Sequence, residues 1–270
     1  MKLEDRVAVV TGAGGGIGRA IALSLAGRGC RLSLCDIRES ELAQAARDAA
    51  ALGVRCTQHC LDVADAAAVA DLPRQVLAAH GKVNLVVNNA GVALGGNFDQ
   101  VSETDFDWLM QVNFHGVVRM TRAFLPHLKA ADEGRIVNVS SLYGLVSPPG
   151  QSAYSASKFA VRGFSNALRH ELEGTNVGVT VVHPGGVATS IAKNARVSAG
   201  IDAEEVERRR KQADRLLRMP AQRAGEIIVE GIERDAARIL VGNDAKIVSV
   251  LERIMPVNYW RLLAALTGRD

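Results

Sequence analysis

Short β-branched runs alternate along this chain with longer segments of helical periodicity. The runs at 7–11, 31–36, 54–60, 83–88, 135–140, 177–183 and 238–241 predict strands. The intervening patterns predict helices at 17–28, 39–52, 65–80, 103–129, 154–173 and 221–235, with more helix after 244. Runs such as Leu85-Val-Val and Val179-Thr-Val-Val are apolar on both faces, as a parallel sheet covered on both sides requires. The βαβα alternation predicts an α/β fold: a doubly wound parallel sheet of about seven strands, flanked by helices on both faces. No repeat, low-complexity tract or linker divides the 270 residues, so one domain is expected.

Two segments depart from this rhythm. Residues 189–220 are polar and charged, and the run Glu207-Arg-Arg-Arg-Lys211 predicts the solvated face of a helix. Residues 244–266 form an apolar tail that Pro256 should break into two helical pieces. The second piece holds Tyr259 and Trp260 beside Arg261, in a chain with only 4% aromatic residues. A sheet covered on both faces leaves it little room. A second subunit is the first expectation for what covers it, a peripheral membrane surface the second. Folding back over its own subunit is the remaining alternative.

Composition narrows the function classes. The hydrophobic fraction of 48% and charged fraction of 23% are ordinary for a globular protein with a sizeable core. A net charge of +3, with no basic stretch interleaved with aromatics, argues against nucleic acid. No basic region precedes a long apolar one, and no run of about 18 apolar residues occurs, so a cytoplasmic protein is expected. Cys30, Cys35, Cys56 and Cys60 suit reduced thiols. Cys56, His59 and Cys60 lack the fourth ligand that zinc requires and sit in a strand-like run, so structural cysteines and no metal are expected.

The chemistry concentrates in three places. Strand 7–11 feeds into Thr11-Gly-Ala-Gly-Gly-Gly-Ile-Gly18, and a helix follows. Glycines there let the backbone turn sharply and approach a pyrophosphate, and the helix N-terminus offers unpaired N–H groups to it. Their spacing departs from the common G-x-G-x-x-G: Gly12, Gly16 and Gly18 stand at G-x-x-x-G-x-G. Asp36 ends the second strand, where a carboxylate can accept from ribose hydroxyls and repel a 2′-phosphate. That favours NAD over NADP, and no cation among Ala13, Gly14 and Gly15 offsets it, although Arg38 lies two residues on. Tyr154 and Lys158 stand four apart, on one face of a predicted helix. An ammonium beside a phenol stabilises the phenolate and lowers its pKa toward working pH. Ser141 ends the fifth strand, at the sheet edge where α/β proteins bind ligands.

Together these residues resemble the short-chain dehydrogenase/reductase family. The matching elements are TGAGGGIG at 11–18, Asp62-Val63, NNAG at 88–91, Asn113, Ser140-Ser141, Tyr154-Ser-Ala-Ser-Lys158 and Pro184-Gly-Gly-Val-Ala-Thr189, in family order and spacing. The resemblance runs from about residue 5 to 190 and more loosely to 242. It implies that Tyr154 exchanges the proton of an alcohol or carbonyl oxygen. Lys158 would bind the nicotinamide ribose, Ser141 the substrate oxygen, and Asn113 a water in a proton relay. Ser141, 13 residues before Tyr154 as in the family, is preferred over Ser140. Gly12, Gly16, Ile17 and Gly18 would contact the cofactor, Asp62 and Val63 its adenine, Asn89, Ala90 and Gly91 its cleft, and Val187 and Thr189 its carboxamide. The resemblance also implies a substrate loop after Thr189 and a homodimer or homotetramer.

The expected activity is therefore NAD(H)-dependent hydride transfer on a secondary alcohol/ketone pair. Leu94, Leu142, Leu145, Val146 and Gln151, with parts of 190–215, are candidate lining residues and suggest a hydrophobic or alicyclic substrate. An NADPH-dependent ketoacyl reductase and a non-catalytic NAD-binding protein are the alternatives. Asp36 weighs against the first, the complete Ser-Tyr-Lys set against the second.

Overall fold

The computed structural model describes residues 1–197 and 201–267. Its seven-stranded sheet comprises β1 (Val7–Thr11), β2 (Arg31–Asp36), β3 (Cys56–Cys60), β4 (Leu85–Asn88), β5 (Gly134–Val139), β6 (Val177–Pro184) and β7 (Arg238–Val241). The spatial order is β7-β6-β5-β4-β1-β2-β3 and every pairing is parallel. The order reverses between β1 and β4, where Val10 pairs with Val87 on one side and Leu34 on the other. Loops leaving β1 and β4 diverge there and open a crevice at the carboxyl edge.

Strand alternation divides the core into two layers. Ala8, Val10, Leu32, Leu34, Val87 and Val137 face α1 (Gly16–Ala26), α2 (Glu39–Ala50) and α8 (Ala221–Glu233). Val7, Val9, Val86, Ile136 and Val179 face α3 (Ala66–His80), α5 (Gly116–Ala130) and α6 (Ser152–Glu171). Small residues set how closely the helices approach. A Cβ on Gly225 of α8 would lie 2.6 Å from the backbone of Ala20 on α1, so only glycine permits that crossing.

The expected doubly wound sheet is thus present, with boundaries shifted by one or two residues at several ends. One larger difference concerns 103–129, expected as a single helix. It is α4 (Glu103–Met110), a π-helical turn at Gln111–His115, and α5. A π turn inserts a residue without breaking the helix and rotates the turns beyond it. Here it carries Asn113, fully buried, whose amide Nδ2 donates to the Val92 carbonyl (3.0 Å) and whose Oδ1 accepts from Val92 N–H (2.8 Å). Gly116 comes next, at a point where a Cβ would meet Val63 Cγ2 at 2.8 Å.

The segment 189–220 carries α7 (Ala203–Leu216). Glu207, Arg208, Arg210 and Lys211 are exposed on it, and Glu207 pairs with Lys211 at 3.7 Å, the expected solvated face. Short parallel bridges tie the ends of this segment down, Arg196–Val197 to Leu94–Gly95 and Met219–Pro220 to Val187–Ala188. The tail divides at Pro256 into α9 (Asn243–Ile254) and α10 (Tyr259–Thr267). Ala245, Val248 and Ser249 of α9 are buried against the body, and α10 folds back so that Tyr259 Oη accepts from Ser147 N–H at 3.0 Å. No helix among the described residues is long and apolar enough to cross a membrane.

Candidate active site

The glycine turn after β1 is shaped by close approach. Gly12 (φ +63°) and Gly16 (φ +53°) occupy the left-handed region. A Cβ on Gly18 would fall 2.1 Å from the Gly12 carbonyl oxygen, and one on Gly12 would fall 2.9 Å from Ala90 Cα. The helix α1 starts at Gly16 with Gly15 as N-cap and no side chain capping it, so its first N–H groups point into the crevice edge unpaired by a cap. Ile17 is half-buried behind them. Thr11 joins this turn to the one after β4: its Oγ1 accepts from Asn89 N–H and Ala90 N–H, both at 3.0 Å. Asn89 Nδ2 returns bonds to the carbonyls of Thr11 (3.0 Å) and Gly12 (3.2 Å). Thr189 closes the far side, its Cγ2 lying 3.2 Å from where a Gly16 Cβ would be, with Val187 buried beneath.

Asp36 is buried at the tip of β2 and its carboxylate is already engaged. Oδ2 accepts from Gly14 N–H (2.9 Å), and Oδ1 from Arg38 N–H (3.0 Å) and Nε (3.3 Å). The Arg38 guanidinium also pairs with Glu41 at 3.5 Å and lies with Nη2 3.2 Å from the position a Gly15 Cβ would take. A cation therefore stands over the glycine turn, although none lies among the glycines in sequence. Val63 is buried against Gly116, and Asp62, exposed beside it, accepts from Ala64 N–H at 2.9 Å.

Across the crevice, Tyr154 and Lys158 occupy successive turns at the start of α6. Lys158 is buried and its Nζ donates to the Val139 carbonyl (3.2 Å) while lying 5.6 Å from the Tyr154 ring centroid. Its ammonium also comes within 3.4 Å of where a Gly91 Cβ would sit. The two adjacent serines differ in placement. Ser140 Oγ donates to the Lys158 carbonyl at 2.8 Å and anchors α6 to the sheet. Ser141 Oγ accepts from Tyr143 N–H at 3.1 Å and hydrogen-bonds the Tyr154 phenol. Asn113 joins the same cluster through Ser157, whose Oγ accepts from Asn113 Nδ2 (3.1 Å) and donates to the Tyr154 carbonyl (2.7 Å).

Electrostatics sets the resting protonation. Burial pushes the Tyr154 phenol up to about 12, opposed by its hydrogen bond with Ser141 and reinforced by Tyr143. Burial pulls Lys158 down to about 8. The expected depression of the tyrosine by Lys158 is not found in this structure, where Lys158 Nζ donates to the Val139 carbonyl and desolvation dominates the phenol.

Three residues that sequence reasoning passed over belong to this cluster. Ser157 lies inside the Tyr-x-x-x-Lys run. The Tyr143 ring stands edge-on to Tyr154 with centroids 6.1 Å apart. His183 is fully buried near the end of β6, in a run that reads simply as apolar strand; its Nδ1 donates to the Ser141 carbonyl at 3.0 Å. Among the candidate lining residues, Leu94, Leu145 and Val146 are at most 2% exposed and serve the core, where Leu94 packs in the cluster that Tyr154 covers. Leu142 and Gln151 are half-exposed at the crevice. On β3, His59 bonds Thr57 and Gln75, and no group of metal-ligating side chains forms among the described residues.

This fold and site place the chain in a known group. Residues 6–199 match the family model for short chain dehydrogenases, and the chain belongs to that family of oxidoreductases. It is 47% identical over 265 residues to SadH of Mycobacterium tuberculosis, which carries an oxidoreductase name, covering 97% of this chain and 95% of that one. A short-chain dehydrogenase/reductase from Burkholderia phymatum, solved in complex with NAD, superposes with a TM-score of 0.85 at 31% identity over 100% of this chain and 97% of that one. A metagenomic short-chain oxidoreductase solved with NADP gives a TM-score of 0.65 at 38% identity, over 69% of this chain and 85% of that one.

His183 also makes the site's integrity depend on pH. Burial lowers its pKa to about 4 from an ordinary value near 6.5. The unfolded chain takes up the proton first as pH falls, so stability is full above about 6.5 and is lost toward 4. Denaturant unfolding should show a loss on the order of 3 kcal/mol from this group across that window. His183→Gln should flatten that slope. An unchanged slope in the variant means that His183 is not held neutral.

Proposed function

We propose that this chain is an NAD(H)-dependent dehydrogenase acting on a secondary alcohol/ketone pair with an apolar frame. The observation that carries the reading is the convergence of Ser141, Tyr154, Lys158 and Asn113 across one crevice from an uncapped, glycine-shaped helix terminus. The residues present fit a dinucleotide: close approaches that exclude a Cβ keep the turn tight, and a helix terminus with no side-chain cap suits a pyrophosphate. Gly12, Gly16, Ile17 and Gly18 would hold the phosphates and Asp36 the adenosine ribose. Asp62 and Val63 would flank the adenine. Asn89, Ala90 and Gly91 would form the cleft floor, Lys158 would bind the second ribose, and Val187 and Thr189 would bind the carboxamide.

When bound, the nicotinamide supplies or receives the hydride. The chain's own groups handle the proton. In oxidation, Tyr154 accepts the hydroxyl proton as the carbinol C–H electron pair departs and the C=O double bond forms. In reduction, the neutral phenol returns that proton to the oxygen. Ser141 donates to the same oxygen and holds it against Tyr154. The Asn113–Ser157 link fixes the backbone beneath Tyr154.

Half-exposed Leu142 and Gln151 support an apolar substrate with one polar contact. Tyr154→Phe keeps the ring and removes the proton. Turnover on a panel of secondary alcohols should fall by roughly two to four decades, with nucleotide affinity little changed by calorimetry. Near-normal turnover would place the acid/base elsewhere.

The engaged carboxylate of Asp36 supports NAD, because a 2′-phosphate would sit against it. We expect NAD to be favoured over NADP by at least about tenfold in kcat/KM. Arg38, poised over Gly15, is the feature that favours the other reading, an NADPH-dependent reductase. Asp36→Ala should shrink the preference by freeing Arg38. A wild-type preference for NADP would overturn the assignment of Asp36.

A further inference from the structure

The tail presents an apolar face that the enzyme's own fold leaves uncovered. Ile247, Val250 and Ile254 of α9 are 66%, 57% and 73% exposed, and Val257, past the helix end, is 83% exposed. Their i, i+3, i+7 spacing puts the three helical positions in one stripe. The opposite side of α9 is fixed by Ala245, Val248 and Ser249, so the stripe faces outward.

The charges around the stripe are sorted. Lys246 and Arg253 are exposed along one flank of α9, and Arg261 is exposed on α10. Among the described residues of the tail, the two carboxylates, exposed Asp244 and half-buried Glu252, lie off the stripe. Asp244 accepts from Gly186 N–H at 2.6 Å, and Glu252 is half-buried where it interacts with Arg238. The outward face is therefore apolar with a cationic rim.

We propose that α9 and α10 form a docking surface for an anionic lipid bilayer. An apolar stripe rimmed by lysine and arginine lies in a headgroup layer with its side chains toward the acyl chains and its cations on the phosphates. A second copy of this chain suits the face less well. It would bring the same three cations and, among the described residues of its own tail, no carboxylate on that face to meet them.

The tail also touches both loops that frame the reacting centre. At its start Asp244 holds Gly186, between β6 and Thr189; at its far end Tyr259 Oη accepts from Ser147 N–H, in the loop joining Ser141 to Tyr154. The docked face is thus coupled to the mouth of the crevice. Resting on the activity proposed above, this assigns the substrate class: alcohols or ketones that partition into lipid.

Cosedimentation of the full chain with vesicles, without substrate, tests the surface. Wild type should bind vesicles of about three parts phosphatidylcholine to one part phosphatidylglycerol, and bind pure phosphatidylcholine more weakly. The double variant Val250→Glu, Ile254→Glu should lower the partition coefficient by at least about tenfold. Lys246→Glu with Arg253→Glu should remove the preference for the anionic vesicles. All four positions are exposed, and circular dichroism melts check that the fold is kept. Wild type that ignores both vesicles overturns the proposal. So does a stripe variant that binds vesicles normally. If vesicles are ignored and the stripe variant lowers the mass in sedimentation equilibrium, the face belongs to a second copy. Turnover on water-soluble secondary alcohols, read separately, should be unchanged in these variants. Its absence in wild type would count against the proposed activity and leave the vesicle result standing.

Discussion

A cation buried to 3% exposure, Lys158, is the constraint around which this site is built. Desolvation of an ammonium is unfavourable, and here it lowers the lysine to about 8. The position is held because α6 cannot move away from the sheet. Ser140 Oγ is bonded to the Lys158 carbonyl, and a Cβ on Gly144 would lie 2.8 Å from that same carbonyl oxygen. Ser155, Ser157 and Ser165, all buried, keep the facing side of α6 thin enough to lie close. With α6 fixed, Tyr154 falls one turn earlier, over the loop that Ser141 begins. His183 then fixes the Ser141 backbone from β6.

The opposite wall depends on a second contact set, between turns rather than helices. The pairs Thr11-Gly12 and Asn89-Ala90 exchange four hydrogen bonds across the reversal in strand order. These bonds tie the glycine turn to the segment that leaves β4. The crevice is therefore a consequence of sheet topology: one wall is set by helix approach, the other by contacts between turns, and Asn113 links them through Val92 and Ser157.

The strands and the glycine turn were legible in the sequence because their signals are local. A buried parallel strand must be apolar on both faces, and a turn that crosses Ala90 at 2.9 Å must be glycine. The Tyr154–Lys158 spacing was legible for the same reason. What escaped depends on contacts between distant residues. The π turn at Gln111–His115 has ordinary helical periodicity and shows itself only once Asn113 meets Val92. Arg38 looks like a surface cation until its side chain folds back over Gly15. Leu145 and Val146 look like pocket residues because they are apolar and close to Ser141, yet the chain turns them into the core. Periodicity and Pro256 revealed the two pieces of the tail, but not that its second piece would fold back to the loop after Ser141.

The central claim is that Tyr154 is the proton-exchanging group and that burial holds it largely neutral. The pH dependence of the two reaction directions, measured with one enzyme and one alcohol/ketone pair, tests this most directly. Reduction draws on the neutral phenol and should be nearly flat across neutral pH. Oxidation draws on the phenolate, whose pKa burial raises to about 12, and should climb steeply into the alkaline range, by up to about tenfold per pH unit. Oxidation that is independent of pH between neutral and alkaline conditions would contradict the account.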